Sequence, residues 1–152
     1  MVFPDDHLLM RFIHCSCGSV EKAKVVLETF CTQRSGAPEF FNNRDPLQPA
    51  MKTAFEVVDA VPLPERTAED NQLFLYRLAD FDPSRFVYDD YVKMLLLVAD
   101  TRMLREVKEK IPLPSGDVPI FDMAGLNIRH LGRITLPSMR KYMHYFQVSQ
   151  PL

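Results

Sequence analysis

The chain reads as an α/β protein, with helices at the front and a sheet behind them. Three observations carry that expectation. Val118-Pro119-Ile120-Phe121-Asp122 is an apolar run that ends in a carboxylate shortly before Gly125, as a buried strand does when it delivers the chain to a turn. Gln72 to Leu78 is rich in aliphatic and aromatic residues and follows a polar stretch, Thr67 to Asn71, which suits another strand. Between them lies a long helical pattern that starts at Asp89 or Asp90 and reaches about Lys108. Strand, helix, strand in that order predicts a parallel pair with a right-handed crossover.

The elements run in order. Leu8, Leu9, Phe12 and Ile13 recur at helical spacing behind Asp5 and Asp6, two candidate N-caps. Cys17-Gly18 should break this helix, and Ser19 is placed to cap the next, on which Ala23, Leu27, Phe30 and Arg34 share one side. Pro38 suits the first turn of a short third helix anchored by Phe40 and Phe41. Arg44-Asp45-Pro46 ends it, because the residue before proline is pushed out of the α region. Ala50, Met51, Ala54, Phe55 and Val58 then outline a fourth helix, and Pro62 and Pro64 read as the exit from the helical part. Residues 1–60 are thus expected to form a helical N-terminal module, and 61–152 an α/β domain. A final helix runs from about Pro137 to Phe146, with Met139, Met143 and Phe146 at i, i+4 and i+7. Two strands do not make a stable sheet by themselves, so the sheet reads as incomplete and mainly parallel. Pro119 asks for an edge or the first residue of its strand, because it has no N–H for a ladder.

Composition narrows the function. With 152 residues, 47% hydrophobic and 25% charged, the chain has the makings of a folded core, which argues against disorder. The longest apolar run, Met94 to Ala99, is too short to cross a bilayer, and the start has no signal-peptide pattern, so a cytoplasmic protein is expected. Cys15, Cys17 and Cys31 are three in number, and Cys15 with Cys17 would close too tight a loop, so free thiols are expected rather than a disulfide set. Adding His14 to these thiols gives no common zinc spacing. No catalytic motif or cofactor fingerprint stands out, so neither an enzyme nor a cofactor is expected. Asp122 and His130 allow two readings, a carboxylate and an imidazole that tie a turn or an acid–base couple across it.

From Met123 onward the chain has Arg129, Arg133, Arg140 and Lys141 and no acidic residue. That asymmetry fits either contact with an anionic surface or a solvated helix face. It is too small for a nucleic-acid interface, so no nucleic-acid partner is expected. Apolar residues cover more than one stripe of the long helix, which fits a buried core or a wall shared with a ligand.

The ordered series Leu8-Leu9-Met10-Arg11-Phe12-Ile13, Ser19 to Lys24, Pro38 to Pro46, Val61 to Pro64, Leu75 to Leu78, Asp80 to Phe86 and Val118 to Leu131 resembles the CRAL-TRIO lipid-transfer family. The likeness is strongest to its insect members similar to α-tocopherol transfer protein, and it extends from Asp5 to Leu152. It implies a helical module followed by the first half of a CRAL-TRIO-like α/β domain, cut short at both ends. It also implies non-enzymatic binding and transfer of a hydrophobic ligand (tocopherol-, retinoid- or phosphoinositide-like). Carried over by position, the lipid-binding residues are Val92, Leu95, Leu96, Ala99, Phe121, Leu126, Tyr142 and Phe146. Arg129, Arg133, Arg140 and Lys141 are then the contacts to phosphoinositide-containing membranes. The alternative is a protein-interaction module, or a truncated product that associates with a partner or with itself through an exposed sheet edge.

Overall fold

A computed structural model describes residues 6–148. Within them the chain is a mixed α/β structure of seven helices and one open three-stranded sheet. The candidate cap Asp5 lies outside the described residues. Helix α1 (Asp6–Cys15) ends where Cys17 and Gly18 both take positive φ, at 52° and 78°. Ser19 then caps α2 (Val20–Gly36), its side chain accepting the Lys22 backbone N–H. Pro38 opens α3 (Pro38–Phe41) at its first position, where a missing N–H costs nothing. Pro49 does the same for α4 (Pro49–Val57).

Beyond α4 the structure departs from the sequence reading. The chain passes directly from Val57 into strand β1 (Val58–Arg66), so Pro62 and Pro64 lie inside a strand and not in a linker. The sheet tolerates them because β1 is an edge, hydrogen-bonded on one side only, and its ladder turns irregular between Pro62 and Arg66. Strand β2 (Asn71–Leu78) is central, antiparallel to β1 and parallel to β3 (Gly116–Asp122). The β2–β3 pair is therefore parallel as expected, but the sheet is mixed and not mainly parallel. Pro119 sits in mid-strand on the other edge, opposite Phe74.

Helix α5 (Tyr88–Lys108) is the crossover, with Asp89 and Asp90 in its first turn and Arg105 and Lys108 in its last, each matched to the helix dipole. A short α6 (Ile128–Leu131) and the final α7 (Leu136–Val148) complete the chain. Helices α3 and α4 pack on α5, while α1 and α2 pack on each other. Phe12, Phe40, Met51, Val92, Met94 and Leu96 form the centre of the core, and Phe12 meets Phe30 edge-on at 5.2 Å.

Polar groups hold the layers together where no local pattern announces them. Arg11 of α1 pairs with Glu106 of α5, both side chains nearly inaccessible at 2% and 7%. Arg102, one turn before Glu106, donates two hydrogen bonds to Asp117 of β3, at 2.7 and 2.5 Å. Its guanidinium also lies 4.9 Å from the centre of the Phe74 ring. A second knot joins α2 to α5: Asp100 accepts from Arg34 and from Arg44. Arg34 is sandwiched near Phe30 and Phe41, at 4.2 and 4.7 Å, and donates to the Tyr145 hydroxyl of α7.

Candidate interaction surface

The pairing register assigns every strand residue to a face. Directly opposed residues share a side of the sheet, and neighbours along a strand alternate. One face has Ala60, Phe74, Tyr76, Asp117, Pro119 and Phe121. The contacts to Arg102 and the cavity walls place α5 and α7 over this face. The opposite face has the row Val61, Leu75 and Ile120, with Leu73 and Val118 beside it. There Val61, Val118 and Ile120 remain 46%, 37% and 40% exposed. A sheet face left to water is normally polar; here it is aliphatic on all three strands.

At one end of this open face lies a charged row, Asp59, Arg77 and Asp122. The Arg77 guanidinium donates to Asp59 at 2.8 Å. Asp122 turns one oxygen to the Ala124 backbone N–H at 2.9 Å and so ties the turn, as its place at a strand end suggests. Gly125 completes that turn at φ +77°, and a Cβ there would stand 2.3 Å from the Phe81 ring.

The residues picked out from the sequence fall in several places. Leu95, Leu96, Ala99, Tyr142 and Phe146 do come together, with Tyr76 and Phe74, around a cavity between the covered face of the sheet, α5 and α7. Its free volume is about 30 Å³, the room of a single water molecule. Val92 is wholly buried in the core instead and does not line that cavity. Phe121 is 60% exposed, stacked on Tyr76 at 5.3 Å, because β3 is the outermost strand. Leu126 is half-buried in the turn after β3. Burial pushes the phenols lining the cavity up, Tyr76 to about 12 and Tyr142 further still.

The basic residues do not form one patch. Arg140 and Lys141 border a surface groove of about 480 Å³ along α7, and Lys141 is already paired with Glu39 of α3. Arg133 borders a separate groove beside Phe86 and Asp89, and Arg129 stands exposed on α6. Nor are Asp122 and His130 a hydrogen-bonded couple. His130 is fully buried with its ring edge-on to Phe86, and its Nδ1 accepts the Asn127 backbone N–H in the capping box of α6. All three cysteines are free, and burial pushes the Cys15 thiol up. Among the described residues no three His, Cys, Asp or Glu side chains are grouped to hold a metal ion. No helix among them is long and apolar enough to cross a membrane.

Comparison with known families corrects the resemblance drawn from the sequence. A family model, the Pinta-like UBA domain, matches residues 3–51, which include α1 to α3. That match contradicts the CRAL-TRIO assignment and removes the basis for describing the chain as lipid-binding, lipid-transporting, α-tocopherol transfer protein-like or phosphoinositide-binding. No curated protein matches the chain. The ordered segments misled for a physical reason. Short amphipathic helices followed by a strand–helix–strand unit meet the packing needs of many α/β chains, so their order does not identify one family.

Proposed function

We propose that this chain is a protein-interaction module that receives a partner on the open side of its sheet. The supporting observation is the aliphatic face formed by Val61, Leu73, Leu75, Val118 and Ile120, of which Val61, Val118 and Ile120 are exposed, while α5 and α7 cover Phe74 and Tyr76 on the other face. The free edge of β3 continues this surface, and Pro119 blunts that edge against indiscriminate strand pairing. A photo-crosslinking residue at position 120 tests the reading in cells that express the protein. Discrete protein adducts at 120 and none at position 52, on the exposed side of α4, are expected. Equal or absent labelling at the two sites would refute it.

A second reading rests on the family match. UBA denotes a ubiquitin-associated domain, which makes ubiquitin the partner to try on the N-terminal helices. Titrating ubiquitin into the isotope-labelled chain should then shift backbone amide signals in α1 to α3 and leave β1 to β3 unmoved. No shift at millimolar ubiquitin would dismiss it.

A further inference from the structure

The cleft where α4 runs into β1 and meets the first turn of α5 has a free volume of about 170 Å³. An apolar cavity of about 150 Å³ takes a benzene ring, so this one has room for a ring or a short alkyl chain. Its floor is apolar and closed: Ala54, Val57, Val58 and Phe86 are each no more than 6% exposed. Two aromatic rings stand in its wall, Phe86 and Tyr91, with centres 5.8 Å apart and planes tilted by 42°. Val58 shares the covered face of the sheet with Ala60, so this cleft is separate from the open aliphatic face.

Three polar side chains complete the lining, Thr53, Arg85 and Asp90. Arg85 is already neutralised, because it donates to Glu56 at 2.6 Å and also to Asp80. Asp90 has no hydrogen-bond or ion-pair partner among the described residues. Its neighbour Asp89 has a buried oxygen, Oδ1, that also lacks a partner, and it borders the next groove together with Arg133. Around the cleft itself three carboxylates, Glu56, Asp80 and Asp90, stand against one guanidinium. The positive end of the α5 dipole offsets only about half a charge of that excess. A cation is therefore favoured at the mouth, and an anion is repelled.

We propose that this cleft binds an organic ammonium ion. The apolar ring or chain would enter between α4 and Phe86, and the cationic head would rest against Asp90 beside the Phe86 and Tyr91 rings. Apolar burial supplies the attraction, and the unpaired carboxylate selects the charge. Either a free amine or a lysine side chain of a partner protein has this chemistry.

The test titrates the isotope-labelled full chain with phenethylammonium, with the neutral phenethyl alcohol and with the anionic 3-phenylpropionate. The ammonium should shift the amide signals of Val57, Phe86 and Asp90 with a dissociation constant on the order of a millimolar. The alcohol should bind about fivefold more weakly, and the carboxylate more weakly again. Asp90→Asn should bring the ammonium down to the level of the alcohol. Nuclear Overhauser contacts from the ligand ring to the Val57 and Val58 methyl groups locate it without any variant. Equal affinity for the three compounds overturns the proposal, as does an Asp90→Asn chain that keeps the preference. Contacts to methyl groups elsewhere, or no shift at about 20 mM ammonium, overturn it as well. A parallel titration with N-acetyl-lysine methylamide separates the two sources. Tighter binding than phenethylammonium assigns the cleft to a lysine of a partner protein, and weaker binding assigns it to a free aryl amine.

Discussion

Glu106 is the residue whose loss should be felt most widely. It lies on α5 between Arg11 of α1 and Arg102, which in turn grips Asp117 of β3. Replacing Glu106 by Gln keeps the volume and removes the charge, leaving the Arg11 guanidinium beside a neutral amide at a site only 2% exposed. Breaking one side of a buried ion pair costs about 3–5 kcal/mol, because the surviving charge keeps its desolvation penalty and loses this carboxylate. For a domain of this size that is a fall in Tm on the order of 10 °C. Urea unfolding followed by circular dichroism and by tyrosine fluorescence measures it, with the m-value showing whether the unfolded state has changed. The double variant Arg11→Met, Glu106→Leu supplies the control: with both charges gone it should be more stable than Glu106→Gln alone. A loss below about 1 kcal/mol in Glu106→Gln would mean that the pair behaves as a solvated surface bridge and does not join the layers.

Other expectations concern single sites. Gly125→Ala places a Cβ against the Phe81 ring and forces a side chain onto φ +77°, so unfolding free energy should drop by about 1–3 kcal/mol; Phe81→Ala in the same chain should restore only part of it. Tyr76 and Tyr145 have pKa values raised by burial to about 12, so both phenols favour the folded state fully below pH ~10, their range in the unfolded chain, and that contribution is lost as pH climbs from 10 toward 12. Absorbance at 295 nm should show these groups ionising together with alkaline unfolding; titration near pH 10 in the folded chain would contradict their burial. Pro119→Val gives the outer edge of β3 an N–H it now lacks, and sedimentation should reveal more self-association than in the parent, with no change refuting the protective role.

Much of the fold could be read because its signals are local. A serine three residues before Lys22, a proline at the first position of α3, a carboxylate at the end of β3 with a glycine after it and an apolar stretch of helical length in α5 each act over a few residues. Strand β1 escaped because Pro62 and Pro64 look like linker residues, whereas an edge with one unpaired side accepts them. Val58 to Val61 held the β-branched signal, hidden behind those prolines. The ion pairs could not be read at all: Arg11 and Glu106 are 95 positions apart, and no periodicity links them. Of the expected pocket wall, Leu95, Leu96 and Ala99 of α5 and Tyr142 and Phe146 of α7 converged. Val92, one turn earlier on the same side of α5, is closed into the core, and Phe121 stays outside because β3 is the outermost strand, a fact no local pattern shows.

That register also explains why the sheet offers a surface instead of a loose end. An edge strand with one neighbour should fray, yet β3 is clamped from the covered side by two hydrogen bonds from Arg102, whose own helix is pinned to α1 through Glu106. The clamp works on the side chain of Asp117, so it leaves the opposite face of Val118 and Ile120 untouched. Order is thus imposed from behind, while Val61, Val118 and Ile120 stay exposed in front. A surface held in this way loses little further entropy when a partner settles on it, so a patch of a few side chains can still bind usefully. The same chain of charges, Arg11 to Glu106 to Arg102 to Asp117, joins α1 to the sheet.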